Sequence, residues 1–181
     1  APESGRLAYV GTNNFKAGVE AGKLIKEVLP EGGDIMLFVG LIDAQNAQDR
    51  RAGIEKELEG SGIRILDTRT DGVDPAKARS NAEDALVSNP DLDCLVGLWS
   101  YNGPALANAV KGSDKAGDID IVCFDEDDAT LQAIQDGLIH GTVVQKPYEM
   151  GYQSMALLKK IHDEGADAAI PEGGVVDTGV Q

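Results

Sequence analysis

Basic residues are scarce in this chain: 16 Lys and Arg stand against 31 Asp and Glu among 181 residues, for a formal net charge of -15. Phosphate backbones and anionic bilayer surfaces are held by clustered cations, so the balance argues against nucleic acid or lipid headgroups as partners. No apolar run approaches the roughly 20 residues that span a bilayer, which argues against direct membrane insertion. The opening Ala1-Pro2-Glu3-Ser4-Gly5-Arg6 has neither the basic nor the apolar region of a secretion signal. Cysteines number two, at a spacing that matches no metal motif. Cys94 opens one apolar run and Cys123 lies near the end of the next. In neighbouring parallel strands they would sit about four residues, or about 13 Å, apart, too far for a disulfide. GxGxxG, GxxxxGK[ST] and GxSxG are all absent, so the usual phosphate cradles and the nucleophile elbow are missing. Histidine is equally sparse. His140 precedes an apolar run and His162 falls late in a helical pattern, and neither is placed as a proton carrier. No catalytic residue, metal or cofactor is expected.

What remains is a regular alternation. Apolar, β-branched runs begin near Asp34, Ile63, Leu92, Ile119 and Gly141, and helical patterns span residues 15–29, 47–59, 75–88, 104–111 and 128–136 between them. Pro30 with Gly32-Gly33, Gly60 and Gly137 supply stops, while Pro75 and Pro104 suit a first helical position that needs no N–H. Strands joined by full helical crossovers pair in parallel, which predicts an α/β fold with a doubly wound parallel sheet. After Gln145 the pattern changes to one longer amphipathic helix over residues 147–163, a Gly- and Pro-rich stretch, and a short strand at Val175-Val176-Asp177-Thr178.

Polar and aromatic residues gather where the apolar runs end, and strand carboxyl ends line the ligand crevice of an open α/β sheet. Arg50, early in the helix after the Gly40–Asn46 loop, can donate several bonds to hydroxyl oxygens; otherwise it is an exposed partner of a nearby acid. Asp125, directly after a strand, offers acceptors to two adjacent hydroxyls. It competes as a helix cap with Asp127 and Asp128, which are better placed for capping. Trp99, Tyr101 and Phe124 are a large share of a chain with 4% aromatics, and rings beside donors and acceptors grip the C–H face of a sugar. Phe124 is the most core-like of the three. Asn102 and Gln145 carry both donor and acceptor. Together these seven residues predict a site for a small polar molecule.

Five stretches resemble one family in order and spacing: Tyr9–Asn14 with Ala17-Gly18, Asn46–Gly53, Gly97–Ala105, Ile121–Asp125, and Gly141–Gln145 followed by Pro147 and Gly151. The chain is similar to the periplasmic sugar-binding proteins of ABC importers, ribose-binding type, whose fold is shared with the effector cores of lactose-repressor-like regulators. The resemblance implies an extracytoplasmic protein that carries a monosaccharide to importer membrane subunits. It implies sugar-hydroxyl contacts from the Arg three residues before the helix glycine, the Asp ending the fourth strand and the Gln ending the fifth. Those roles fall on Arg50, Asp125 and Gln145.

Two departures shape the expectation. The family commonly has a polar amide or acid where this chain has Tyr101, which points to ring stacking with Trp99. Family members also begin with a lobe of about 100 residues that has no counterpart here. The resemblance therefore implies that residues 1–146 form the ligand-binding lobe with its first hinge strand, that 147–173 belong with the other lobe, and that 174–181 return through a hinge. A helix left uncovered in this way would either be buried by homodimerisation or stay mobile. Two alternatives share features with the chain: a repressor effector core, through fold and pocket, and a receiver-type phosphoryl-accepting domain, through the Asp125-Glu126-Asp127-Asp128 run. A receiver needs acids after its first strand, and here the run follows the fourth strand of the sheet.

Overall fold

A computed structural model describes residues 5–181. Its elements follow in order as β1 (Tyr9–Gly11), α1 (Asn14–Val28), β2 (Gly33–Val39), α2 (Gln45–Leu58), β3 (Ile63–Thr70), α3 (Pro75–Ser88), β4 (Cys94–Gly97) and α4 (Asn102–Lys111). The series continues with β5 (Asp120–Phe124), α5 (Asp128–Gln135), β6 (Gly141–Val143), α6 (Pro147–Glu164), α7 (Ala166–Ala169) and β7 (Val175–Asp177). The chain divides into two compact units, one of Asn14–Val143 and one formed by the residues up to Asn13 with Val144–Gln181.

The larger unit is the expected doubly wound α/β fold, a five-stranded sheet in the order β3-β2-β4-β5-β6 with every pair parallel. Both faces are covered by helices, which is why β2 and β4 read as unbroken apolar runs rather than alternating ones. Met36, Phe38, Leu95, Ile121 and Cys123 build the main core with helix residues such as Ala82, Leu86, Leu106, Val110 and Ala133. The intervening Ile35, Leu37, Val96 and Val122 are also fully buried. Helix starts follow local chemistry: Asp74 caps α3 by accepting from the Ala76 and Lys77 amides with Pro75 behind it, and Asp127 caps α5 through the Ala129 amide. Asp127 thus takes the capping role and leaves Asp125 out of it.

Three features differ from the sequence reading. β3 runs to Thr70, well past the apolar Ile63–Leu66 stretch, because an edge strand tolerates polar residues on its open side. Its register slips opposite Ile35 and Met36, leaving Leu66 as the extra residue of a bulge. Cys94 pairs with Asp120, so Cys123 lies three residues along rather than four; both thiols are buried and free.

α1 and α2 cross at glycine. A Cβ on Gly18 would stand 2.0 Å from the Arg50 carbonyl oxygen, and one on Gly53 would stand 2.1 Å from that of Phe15. Only hydrogens fit there, and the crossing holds Arg50 where α2 leaves the sheet.

In the smaller unit β1 pairs in parallel with β7, Tyr9 opposite Val175 and Gly11 opposite Asp177. Val144 exchanges backbone bonds with Gln181 at 2.7 and 2.9 Å, and Gln145 bridges to Val180. These pairings take Val144 and Gln145 into this unit, so the division falls three residues before position 147. No residue of α6 is buried, and Tyr148, Tyr152, Met155 and Leu158 are exposed along it.

Candidate functional site

The chain passes from β2 outward to β3 and then back across to β4, so the sheet order reverses between β2 and β4. At such a switch point the two connections leave in opposite directions and open a crevice beyond the strand carboxyl ends. Gly40 follows β2 there, Asp71 lies just past β3, Leu98 and Trp99 follow β4, and Asp125 follows β5.

Arg50 is the most constrained of the sequence-predicted residues. It is 2% exposed, although arginine is rarely buried without partners. Its Nε donates to Asn14 Oδ1 at 2.9 Å and its Nη1 to the Leu98 carbonyl at 2.5 Å. The guanidinium carbon lies 4.3 Å over the Phe124 ring centroid, a cation–π contact. The surface-pair alternative is filled by others: Arg51 bonds Glu55, and Gln45 bonds Asp49.

Phe124 is wholly buried beneath this guanidinium, so it acts as its platform rather than as a ring exposed to a sugar. Asp125, next in the chain, is half-buried and has φ 70, a left-handed conformation uncommon outside glycine. Two contacts fix that backbone: its amide donates to the Val143 carbonyl at 2.9 Å, and its carbonyl accepts from Thr142 Oγ1 at 2.8 Å. Strain held in this way at a strand end is a mark of functional positions.

Trp99 and Tyr101 form one wall. Their rings meet edge to face, 6.4 Å between centroids at 71°. They lie over Gly40, where a Cβ would approach Trp99 Cζ3 to 2.2 Å and Tyr101 Oη to 2.7 Å. The Trp99 indole nitrogen is buried without a hydrogen-bond partner.

Asn102 revises the sequence reading. It is wholly buried, its Oδ1 accepts from the Trp99 amide at 3.0 Å, and its Nδ2 donates to Asp71 Oδ2 at 3.2 Å. It holds the wall and has no face toward a ligand. Asp71 itself was not anticipated. It is 2% exposed, and its Oδ1 accepts from Tyr101 Oη at 2.5 Å and from the Val73 amide at 2.8 Å. Burial first, then the bond to Asp71, raise the Tyr101 phenol above its ordinary pKa. The strand-end rule that selected Asp125 also selects Asp71 once β3 is carried through its polar half, and Asp71-Gly72 is a turn signal.

The structure therefore brings Arg50, Phe124 and Asp125 together on one side, and Trp99, Tyr101 and Asn102 on the other, joined through Leu98. Gln145 belongs to the smaller unit. His140 stands immediately before β6, at the amino end of the sheet, 3.4 Å from Glu27 Oε2. Among the described residues no group of three or more His, Cys, Asp and Glu side chains could hold a metal ion. A guanidinium, a carboxylate and a two-ring wall offer charge-assisted bonds to hydroxyls beside an apolar surface. That combination fits a small polyhydroxylated ligand.

Known proteins share this arrangement of elements. A family model described as a periplasmic binding protein domain matches residues 1–166. The D-ribose/D-allose-binding protein of Pseudomonas aeruginosa is 25% identical over 178 residues, covering 97% of this chain and 54% of that protein. The ribose import binding protein RbsB of Haemophilus influenzae is 23% identical over 166 residues, covering 91% and 56%. Among solved structures, GanP, a glucose-galactose binding protein from Geobacillus stearothermophilus, superposes with a TM-score of 0.91 at 30% identity. The overlap covers 100% of this chain and 63% of GanP. A solute-binding protein of an ABC transporter from Burkholderia graminis, in complex with D-arabinose, gives 0.88 at 31%, over 99% and 62%. The chain spans about half the length of the curated relatives it matches.

Proposed function

Since the chain belongs to the periplasmic binding protein domain family, we propose that its larger unit binds a monosaccharide at the switch-point crevice, as part of an extracytoplasmic protein serving an ABC-type sugar importer. Arg50 and Asp125 bond the sugar hydroxyls, and Trp99 and Tyr101 face its C–H surface. Phe124 and Asn102 act through Arg50 and Trp99. The ligand is released unaltered, and the importer's membrane subunits are the receiving partner. Residues 147–173 are assigned to a second lobe, and the apolar side chains exposed on α6 are a candidate contact between copies.

One observation carries the reading: a buried arginine, tied to Leu98 and Asn14 over Phe124, stands at the same sheet edge as a strained aspartate. Maintaining both costs stability, which a binding role explains better than packing does. The relatives, which include ribose, allose and xylose/arabinose binders, support a pentose or hexose. Calorimetric titration with D-ribose, D-allose, D-xylose, L-arabinose, D-glucose and D-galactose tests it, with chromatography of the recovered sugar. Saturable binding of an unchanged sugar is expected. No heat with any of the six, or a converted product, overturns the proposal.

A further inference from the structure

Tyr101 reaches from the end of β4 across Gly40 to Asp71 beyond β3, so one phenol ties three strand ends together. Asp71 is the anchor of that tie. Its two oxygens receive the Tyr101 hydroxyl, the Asn102 amide and the Val73 backbone N–H. Asn102, in turn, holds the backbone of Trp99 through a reciprocal pair: its Oδ1 takes the Trp99 N–H and its own N–H bonds the Trp99 carbonyl, both at 3.0 Å. A buried carboxylate that accepts three donors has little rotational freedom left. Both aromatic residues of the wall therefore hang on one side chain that is itself too buried to face a ligand.

We infer that Asp71 is a positioning residue that sets the Trp99–Tyr101 wall and, through it, the site's choice among sugars. This rests on the monosaccharide reading proposed above. Because the Tyr101 proton is donated to Asp71, the phenol meets the ligand as an acceptor and an apolar ring, and it has no proton to give. A sugar presenting a hydroxyl hydrogen or a C–H toward Tyr101 is accepted, and one presenting only an acceptor is rejected. Choice is thus made at a residue two steps from the ligand.

The variants Asp71→Asn and Tyr101→Phe test this in the full chain. Asparagine is isosteric, but whichever way its amide turns it faces either Asn102 or the Tyr101–Val73 side with a donor, so one support of the wall is lost. Trp99 is the single tryptophan of the chain, and its emission and acrylamide quenching read the wall directly, without sugar. Expected for Asp71→Asn are a shifted Trp99 emission, easier quenching and about 10- to 100-fold weaker binding of the best sugar of the six, with an unchanged far-ultraviolet spectrum. Tyr101→Phe should also weaken binding, and the double variant should bind no worse than the weaker single one. Wild-type affinity in Asp71→Asn, unchanged Trp99 signals, or fully additive losses each overturn the inference. If Asp71→Asn does not fold, Tyr101→Phe decides alone: unchanged affinity and quenching overturn it. A wild-type chain that binds none of the six sugars sinks the sugar reading instead. The sugar-free Trp99 signals then still decide whether Asp71 holds the wall.

Discussion

The guanidinium carbon of Arg50 lies over the ring of Phe124, 4.3 Å from its centroid, while Nη1 donates to the Leu98 carbonyl. Three features of arginine are used at once: planarity, delocalised charge and several donors in fixed directions. Lysine keeps only the charge. Arg50→Lys should therefore weaken sugar binding by about 2–4 kcal/mol, the scale of hydrogen bonds to charged groups together with a buried acceptor left unmet. Phe124→Leu keeps the volume apolar and loses the ring face, a change of about 1–2 kcal/mol. Calorimetry on both variants checks the order, and equal losses would argue against a platform role for the ring.

Gly40 is where the wall meets the sheet. Its backbone conformation suits any residue, so Gly40→Ala tests space alone. The added methyl would have to displace Trp99, whose Cζ3 lies 2.2 Å from the Cβ position. A shift in Trp99 emission and about a tenfold or greater loss of sugar affinity are expected, with a stability cost of about 1–3 kcal/mol for overpacking. An alanine variant with wild-type emission and affinity would show that the wall has slack.

Helix and strand periods make nearly all elements of the larger unit legible, because β2, β4 and β5 are buried apolar runs and each helix has a punctuating Gly, Pro or Asp. The polar half of β3 was not legible from periodicity, since Asp67-Thr68-Arg69-Thr70 at a sheet edge reads like a loop. That omission hid Asp71. Roles were harder to read than places. Asn102 opens α4 and Phe124 ends β5, but the direction of a side chain is set by tertiary partners: the Trp99 amide and Asp71 turn Asn102 inward, and Arg50 covers Phe124. The same holds for Arg50, where spacing alone could not separate a surface ion pair from a buried donor.

Tyr101 gives the fold a pH signature. Its phenol is raised above the ordinary value by burial and by the bond to Asp71, so the folded chain keeps a proton that the unfolded chain loses near pH 10. Unfolded molecules then bind fewer protons than folded ones, and stability falls as pH rises above about 10. Below that pH the contribution is fully present. Urea midpoints measured between pH 8 and 11 should decline in the wild type and decline less steeply in Tyr101→Phe. Parallel slopes would remove Tyr101 from the account.

At the α1–α2 crossing, the alanine methyl in Gly18→Ala would stand 2.0 Å from the Arg50 carbonyl oxygen, a backbone atom that cannot swing aside. The helices must separate, at a cost of about 1–3 kcal/mol or more. Arg50 moves with α2, so sugar affinity should fall along with the melting temperature. Gly151→Ala is the matched control: nothing lies within 4 Å of its Cβ position, and a small rise in helix stability is expected. Equal melting temperatures for the two variants would contradict the close crossing.

Asp125 separates stability from binding most sharply. Its φ of 70 is one that glycine adopts freely and aspartate adopts at a cost. Asp125→Gly relieves that cost while leaving the bond from its amide to Val143 intact, since a glycine N–H donates equally well. The variant should therefore melt at the wild-type temperature or higher, with a gain of up to about 1 kcal/mol. It should also lose about 2–4 kcal/mol of sugar binding, because the acceptor carboxylate is gone. Asp125→Ala loses the same carboxylate and keeps the strain, so it should bind as weakly as the glycine variant and melt below it. The two substitutions form a pair in which affinity follows the carboxylate and melting follows the backbone. If affinity survives in both, Asp125 is not a ligand contact. If both melt alike, the left-handed backbone at this strand end carries no strain that the rest of the sheet must offset.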